Sequence, residues 1–182
     1  MTIVESVRWS PDGDGVRIID QTQLPGRLVE RDLRSIDDVC DAIARLAVRG
    51  APAIGIAGAM GLVASLRSFV GDAPEAFEAR LRAHAARIRA TRPTAVNLPR
   101  ALDRMTARAS EARGGPEEVL AALRAEATAL LDEDRAILRE VHVCYSGFST
   151  TFARVAITAS GLKGFTMKSR APAWSASFTS DS

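Results

Sequence analysis

The sequence predicts an α+β fold, a small N-terminal antiparallel sheet followed by a helical bundle. Three observations lead there. Two β-rich runs, Thr2–Trp9 and Gly15–Asp20, flank the turn-forming string Pro11-Asp12-Gly13-Asp14-Gly15, which is hairpin chemistry. From Ser35 onward, apolar residues recur at helical spacing. Between Gly50 and Leu66 the chain carries no charge at all, as a buried segment requires. The composition agrees: of 182 residues, 47% are apolar and 25% charged. That suits one or two globular domains with a real core and excludes collagen-like, disulfide-stapled or grossly disordered chains.

After the hairpin, Arg27-Leu28-Val29-Glu30 supplies a third short strand. Ser35 with Asp38 three residues on resembles a capping box, and Ile36, Val39, Cys40, Ile43, Leu46 and Ala47 follow it at helical spacing. Cys40 lies on that stripe and reads as a packed thiol. The uncharged stretch from Gly50 is too short and too rich in Gly and Ala for a membrane span, which takes about 20 strongly apolar residues. It reads as a buried helix with Pro52 in its first turn. Gly55, Gly58 and Gly61 let neighbouring backbones approach it. Phe77, Leu81, Ala85 and Ile88 form the next stripe, opened by Pro74. Val96, Ala101, Leu102 and Met105 form another, with Pro99 expected to kink or restart that helix. A long last stripe runs from Val119 through Leu123, Ala127 and Leu131 to Ile137 and Leu138, opened by Gly115-Pro116.

Composition breaks near residue 140. Residues 1–140 carry 20 Arg, no Lys and 21 acidic residues, whereas both lysines, 6 of the 9 aromatics and 13 of the 25 Ser/Thr lie in 141–182. The overall charge of +2 predicts no nucleic-acid and no membrane partner. Two cysteines make no disulfide framework, and no charged-then-apolar leader precedes Trp9, so a reducing, cytoplasmic setting is expected.

Most catalytic templates find no support. No His, Cys, Asp or Glu cluster has metal-ligand spacing, so no metal is expected. His84, among Arg80, Arg82 and Arg87, reads as a solvated surface residue, and Asp132-Glu133-Asp134 as a solvated helix face. Two arginines stand out. Arg49 precedes Gly50-Ala51-Pro52 at a helix start, and Arg92 precedes Pro93-Thr94 before a later helix. A guanidinium fork beside exposed N–H groups suits a phosphate, while pairing with Asp or Glu is the alternative.

The words around these arginines carry more. Val48-Arg49-Gly50-Ala51-Pro52-Ala53-Ile54-Gly55 and Arg92-Pro93-Thr94-Ala95-Val96-Asn97-Leu98 together resemble the methylthioribose-1-phosphate isomerase family. That family is related to the regulatory subunits of a translation-initiation nucleotide-exchange factor. Val7-Arg8-Trp9, Ile19-Asp20-Gln21, Leu24-Pro25 and Asp134-Arg135-Ala136-Ile137 extend the resemblance over residues 3–139, the family's N-terminal domain. The resemblance implies an aldose–ketose isomerase of methionine salvage, converting 5-methylthioribose 1-phosphate into 5-methylthioribulose 1-phosphate without a cofactor. It assigns Arg49, Gly50, Ala51 and Arg92 to binding of this small-molecule sugar phosphate. It places the chemistry, a cysteine and an aspartate, in a second, Rossmann-like α/β domain through which family members form homodimers.

Beyond residue 139 the resemblance thins. The family's cysteine word resembles Cys-Asn-x-Gly-x-x-x-Thr, and Cys144-Tyr145-Ser146-Gly147-Phe148-Ser149-Thr150-Thr151 shares its Cys, Gly and Thr but not its Asn. Cys144 is therefore the candidate catalytic cysteine, with coincidence as the alternative. The general-acid aspartate has no counterpart, and Leu138 replaces an expected Asn. Residues 140–182 are unassigned, with most of the family's α/β domain expected to be missing; a degraded or frame-shifted start of the catalytic domain would account for them. On this reading the chain binds sugar phosphate weakly, turns over negligibly and leaves an apolar face exposed. Three alternatives stay open: a regulatory phosphosugar- or nucleotide-binding module of the exchange-factor branch, a ribose 1,5-bisphosphate isomerase relative, and a bare helical interaction fragment.

Overall fold

The computed structural model describes residues 5–158, with side chains as far as Arg139. The chain divides into two compact units after Leu138.

Strands β1 (Val7–Trp9), β2 (Val16–Ile19) and β3 (Glu30–Leu33) form an antiparallel sheet in sequence order. The β1–β2 turn is closed by its own side chains. Ser10 Oγ donates to Asp12 at 2.5 Å, the Gly15 N–H donates to Ser10 Oγ at 2.8 Å, and Gly13 takes a positive φ of 76°. Alternation sorts the two faces: Val7, Val16, Ile18 and Leu33 are buried, while Arg8, Arg17 and Asp32 stand in a row on the other side. Arg17 forks onto Asp32 at 2.7 and 2.9 Å, and Glu30 takes Arg8 at 2.7 Å. Those pairs explain a correction. The third strand is Glu30–Leu33 and not Arg27–Glu30, because register places Leu33 opposite Val16 in the core while Leu28 is 68% exposed. A strand that is charged in sequence is neutralised by its neighbour.

Helix α1 (Ile36–Ala44) has the expected capping box, Ser35 and Asp38 each bonding the other's backbone N–H. It stops before Leu46, which adopts φ +64° and is exposed. The next residue tucks back, the Ala47 N–H donating to Ala42 O at 2.9 Å. Helix α2 (Ala51–Leu66) is the core: every residue from Ile54 to Leu66 is buried. The helix and its 3-10 extension, Ala51–Phe69, would suffice by length and apolarity to cross a membrane, yet 72% of that window is buried inside the fold.

The three glycines of α2 mark where neighbours press in. A Cβ on Gly55 would stand 2.9 Å from the Asn97 carbonyl oxygen, on Gly58 2.4 Å from Leu98 Cδ1, and on Gly61 2.6 Å from Val39 Cγ1. Only Gly55 admits a backbone; the other two admit side chains.

Helices α3 (Pro74–Thr91), α4 (Asn97–Glu111) and α5 (Pro116–Thr158) complete the order. The stripe Phe77, Leu81, Ala85 and Ile88 is buried as expected. On α4, Leu98 takes the core position and Val96, before the helix, is 63% exposed. Pro99 is only the third residue of α4, where its missing N–H breaks no helical bond. Helix α5 buries Leu123, Ala127 and Leu131, whereas Ile137 and Leu138 are exposed.

His84 is also corrected. It is half-buried, its Nδ1 lies 3.0 Å from the buried Ser65 Oγ, and its ring meets Phe69 edge-on. Burial, with Arg80 and Arg87 nearby, holds its pKa below the ordinary value. Ser65 Oγ already donates to Leu62 O, so His84 Nδ1 is the donor in this pair. Nor is the acidic run of α5 simply solvated. Glu133 accepts both terminal nitrogens of Arg104, at 2.6 and 2.7 Å, and Asp132 pairs with Arg135.

Candidate functional site

The two arginine words end at one place. The first opens α2, the second leads into α4, and the close approach of Gly55 to Asn97 O locks those helices together near their N-termini. At 1.5 Å per residue, the first turn of α2 lies only about 7 Å from that contact.

The start of α2 is built to stay open. Its N-cap is Gly50, at φ +96° and ψ 132°, a conformation available to glycine and strained for any residue with a Cβ. Glycine supplies no capping oxygen, and no side chain caps the helix. Pro52 has no N–H, leaving those of Ala51 and Ala53 without intrahelical acceptors. No acidic residue stands in the first turn, so the helix dipole is uncompensated there. Helix α4 repeats the pattern, with no side-chain cap at Val96 and no acidic residue in its first turn. Its approach is a tight turn, the Ala95 N–H donating to Arg92 O at 3.1 Å.

The arginines at this end differ from most of the others. Most guanidinium groups of the fold sit on carboxylates within 4.0 Å: those of Arg8, Arg17, Arg34, Arg45, Arg80, Arg104 and Arg135, among others. Arg49 is held only through Nε donating to Leu46 O at 3.3 Å, which fixes its stem and leaves its terminal nitrogens available. Among the described residues, neither Arg49, Arg92 nor Arg100 has a carboxylate partner.

A cleft of about 320 Å³ opens beside these helix starts. Its walls are Pro52, Gly55 and Ile56 of α2, Asn97, Arg100 and Arg104 of α4, and Leu130, Glu133, Asp134 and Ile137 of α5. Arg49, Gly50, Ala51 and Arg92 flank the helix starts rather than line the cleft. Asn97 and Arg100 are polar residues that the sequence reading did not single out; Asn97 is the sixth residue of the second arginine word and Arg100 follows it by three. Cys144 lies outside the residues whose side chains are described. Cys40 is half-buried and burial pushes its thiol pKa up, against a nucleophilic role. Among the described residues, no group of three or more His, Cys, Asp or Glu side chains converges on a metal position.

Residues 47–156, more than half of the chain, match the initiation factor 2 subunit family. The chain belongs to that family. Within it, the chain is 46% identical over 138 residues to a methylthioribose-1-phosphate isomerase of Gemmatimonas aurantiaca, a match covering 76% of this chain and 40% of that relative. Among solved structures it resembles translation initiation factor eIF-2B, subunit delta, from A. fulgidus, with a TM-score of 0.67 and 36% identity over 72% of this chain and 38% of that one. The 5-methylthioribose 1-phosphate isomerase of Pyrococcus horikoshii matches with the same TM-score, at 30% identity over 72% of this chain and 36% of its own. The chain thus spans about two fifths of the length of the curated relatives it matches. The family match runs on to residue 156, past the last of the recognisable sequence words.

Proposed function

We propose that this chain carries the phosphate-binding part of an aldose–ketose isomerase site acting on 5-methylthioribose 1-phosphate. The observation that supports the reading best is the convergence of two uncapped helix starts with arginines that have no carboxylate partners. A sugar phosphate brings a dianion. Guanidinium forks at Arg49 and Arg92 would neutralise it through paired hydrogen bonds, and the Ala51 and Ala53 N–H groups behind Gly50 would add fixed dipoles. The apolar part of the cleft wall, Pro52, Ile56, Leu130 and Ile137, suits the sugar's methylthio end.

The chemistry explains why holding the phosphate matters. With C1 of the sugar blocked by phosphate, simple opening of a free hemiacetal is unavailable, and an acid/base pair must act in a water-poor setting. Anchoring the phosphate orients C1 and C2 toward such a pair. In this reading Cys144 belongs to the reacting side of the site, the protein works in the cytoplasm, and the full isomerase pairs as a homodimer.

The test is a thermal and calorimetric titration of the full chain. We expect 5-methylthioribose 1-phosphate to raise the melting temperature, 5-methylthioribose without its phosphate to leave it unchanged, and Arg49→Ala to abolish the rise. No rise with the wild-type chain would overturn the reading. A second reading, a regulatory module of the initiation-factor branch, has one observation in its favour: the equal structural match to the A. fulgidus subunit. Specific association with an exchange-factor complex, without response to the sugar phosphate, would select it.

A further inference from the structure

The segment that presents Arg49 is held from an unexpected direction. Leu46, in the left-handed region, and Gly50, at φ +96°, bracket a five-residue link between α1 and α2. In a non-glycine residue such as Leu46, backbone of this kind persists only where surrounding structure over-determines it. Two attachments close on Leu46 from either side, and both lead to one carboxylate. On one side, Arg45 caps α1 and donates Nη2 to Asp20 Oδ2 at 2.9 Å. On the other, Ala47 O accepts the N–H of Gln21, the residue after Asp20, at 2.9 Å.

Asp20 itself is 3% exposed, at the end of β2. Its Oδ1 accepts the Thr22 N–H at 3.1 Å and the Thr22 hydroxyl at 2.6 Å, and Arg31 of β3 stands 3.5 Å from Oδ2. Its own N–H donates to Val29 O at 2.8 Å. The carboxylate therefore ties together β2, the β2–β3 connection, β3 and the end of α1. A buried charge is costly unless fully partnered, and every partner here lies on a segment that touches the Leu46–Gly50 link or the sheet behind it.

We propose that Asp20 is a positioning residue for the anion cradle, fixing the backbone from Leu46 to Gly50 so that Arg49 and the open start of α2 face one ligand. The proposal rests on the phosphate-binding reading for its functional meaning, but its structural content stands in the ligand-free chain. Asp20 does not act on the ligand; it acts through Arg45 and Gln21.

The experiment is amide hydrogen exchange on the full chain, followed by titration with 5-methylthioribose 1-phosphate and, separately, inorganic phosphate. Asp20→Asn keeps the shape and removes the charge. We expect exchange at residues 46–53 to rise roughly tenfold or more, with α3 and the Leu123–Leu131 stretch of α5 unchanged. Binding of the sugar phosphate should weaken roughly 10- to 100-fold at a temperature where the chain stays folded, the loss expected when a positioned group shifts by an ångström. Arg45→Ala, at a half-exposed side chain that folding tolerates, should reproduce the local loosening to a smaller degree. Unchanged exchange at 46–53 in both variants would overturn the proposal, as would loosening spread evenly over the whole fold. Local loosening in a chain whose wild-type form binds neither probe would uphold the role of Asp20 and overturn the cradle reading instead.

Discussion

Two sets of arginines divide this molecule. On the outer face of the sheet and along α4 and α5, most guanidinium groups are matched to a carboxylate: Arg17 to Asp32, Arg104 to Glu126 and Glu133, Arg135 to Glu5 and Asp132; Arg124 instead stacks on Trp9 and donates to Gly13 O. At the starts of α2 and α4, Arg49, Arg92 and Arg100 have no such match among the described residues. The residue type is the same, so its task is set by what the fold leaves beside it. A chain this rich in acidic residues could have paired these cations as well; neither helix has an acidic residue in its first turn, and Glu133 of the cleft wall is already bonded to Arg104, which leaves the helix dipoles for something that arrives from solution.

The sharpest way to break that contrast is to pry the two helix starts apart. Gly55→Val would drive a branched side chain into the Asn97 carbonyl, with Asn97 O at 2.9 Å from the Cβ alone and backbone on both sides. Overpacking of this kind should cost about 3 kcal/mol. A fall in urea midpoint together with lost sugar-phosphate binding is the expected pair of results. Gly71→Ala, with nothing within 4 Å of its Cβ, should change stability by no more than about 0.5 kcal/mol.

Arg49→Ala and Arg92→Ala test the unpaired set directly. Each removes a charge-assisted contact worth about 1.5–3 kcal/mol when the anion is bound, a loss of roughly ten- to a hundredfold in affinity by calorimetry. Neither should move the ligand-free melting temperature by much, because neither side chain is spent on a carboxylate. A large stability loss without a binding loss would reverse the assignment.

Acid should act on the paired set and spare the other. Hydrogen bonds and charge from Arg17 hold the Asp32 carboxyl below its ordinary 3.8, and Arg104 does the same for Glu133 below 4.5. Groups with depressed values stabilise the fold above their unfolded pKa and lose that contribution as pH falls through the folded one. His84 has the same sign at higher pH, since burial and then Arg80 disfavour its protonated form relative to an ordinary 6.5. The melting temperature should therefore be level above pH 7, decline gently below about 6.5 and fall steeply below about 4. His84→Gln should remove the gentle decline, and Asp32→Asn should blunt the steep one, both read from melting curves at fixed ionic strength.

How much of this was legible in the sequence follows from the range of the interactions involved. The hairpin turn, the Ser35–Asp38 capping box, the Pro74 helix start and the glycine-marked core helix are local and were readable, as were the two arginine words. The position of the third strand is not legible because Leu28 and Val29 look like strand residues, whereas Glu30, Arg31 and Asp32 become strand-compatible only once Arg8 and Arg17 lie beside them. The surroundings of His84 are not legible because its arginine neighbours in sequence say nothing of Ser65 and Phe69, which approach from α2 and the turn after it. The role of Asp20 was hidden for the same reason: the word Ile19-Asp20-Gln21 is visible, but Arg45 lies 25 residues away. Which arginines would be paired is a property of the fold, and no count of charges reveals it.

The smallest expected effect closes the comparison from the other side. Arg135 bonds Glu5 through two nitrogens, at 2.8 and 2.9 Å, and Asp132 through a third. Its side chain is 32% exposed, so solvent screens much of that attraction, and a partly exposed network of this kind contributes about 0.5–1 kcal/mol. Arg135→Ala should lower the melting temperature slightly, more at low salt than at high, since screening already weakens the pair when salt is added. It should leave sugar-phosphate binding untouched. A double-mutant cycle with Glu5→Ala should return most of that energy as coupling, whereas a cycle between Arg49 and any carboxylate of the described fold should return none. If Arg49 coupled to a carboxylate as strongly as Arg135 does to Glu5, the division into paired and waiting arginines would be wrong, and the open helix starts would need another explanation.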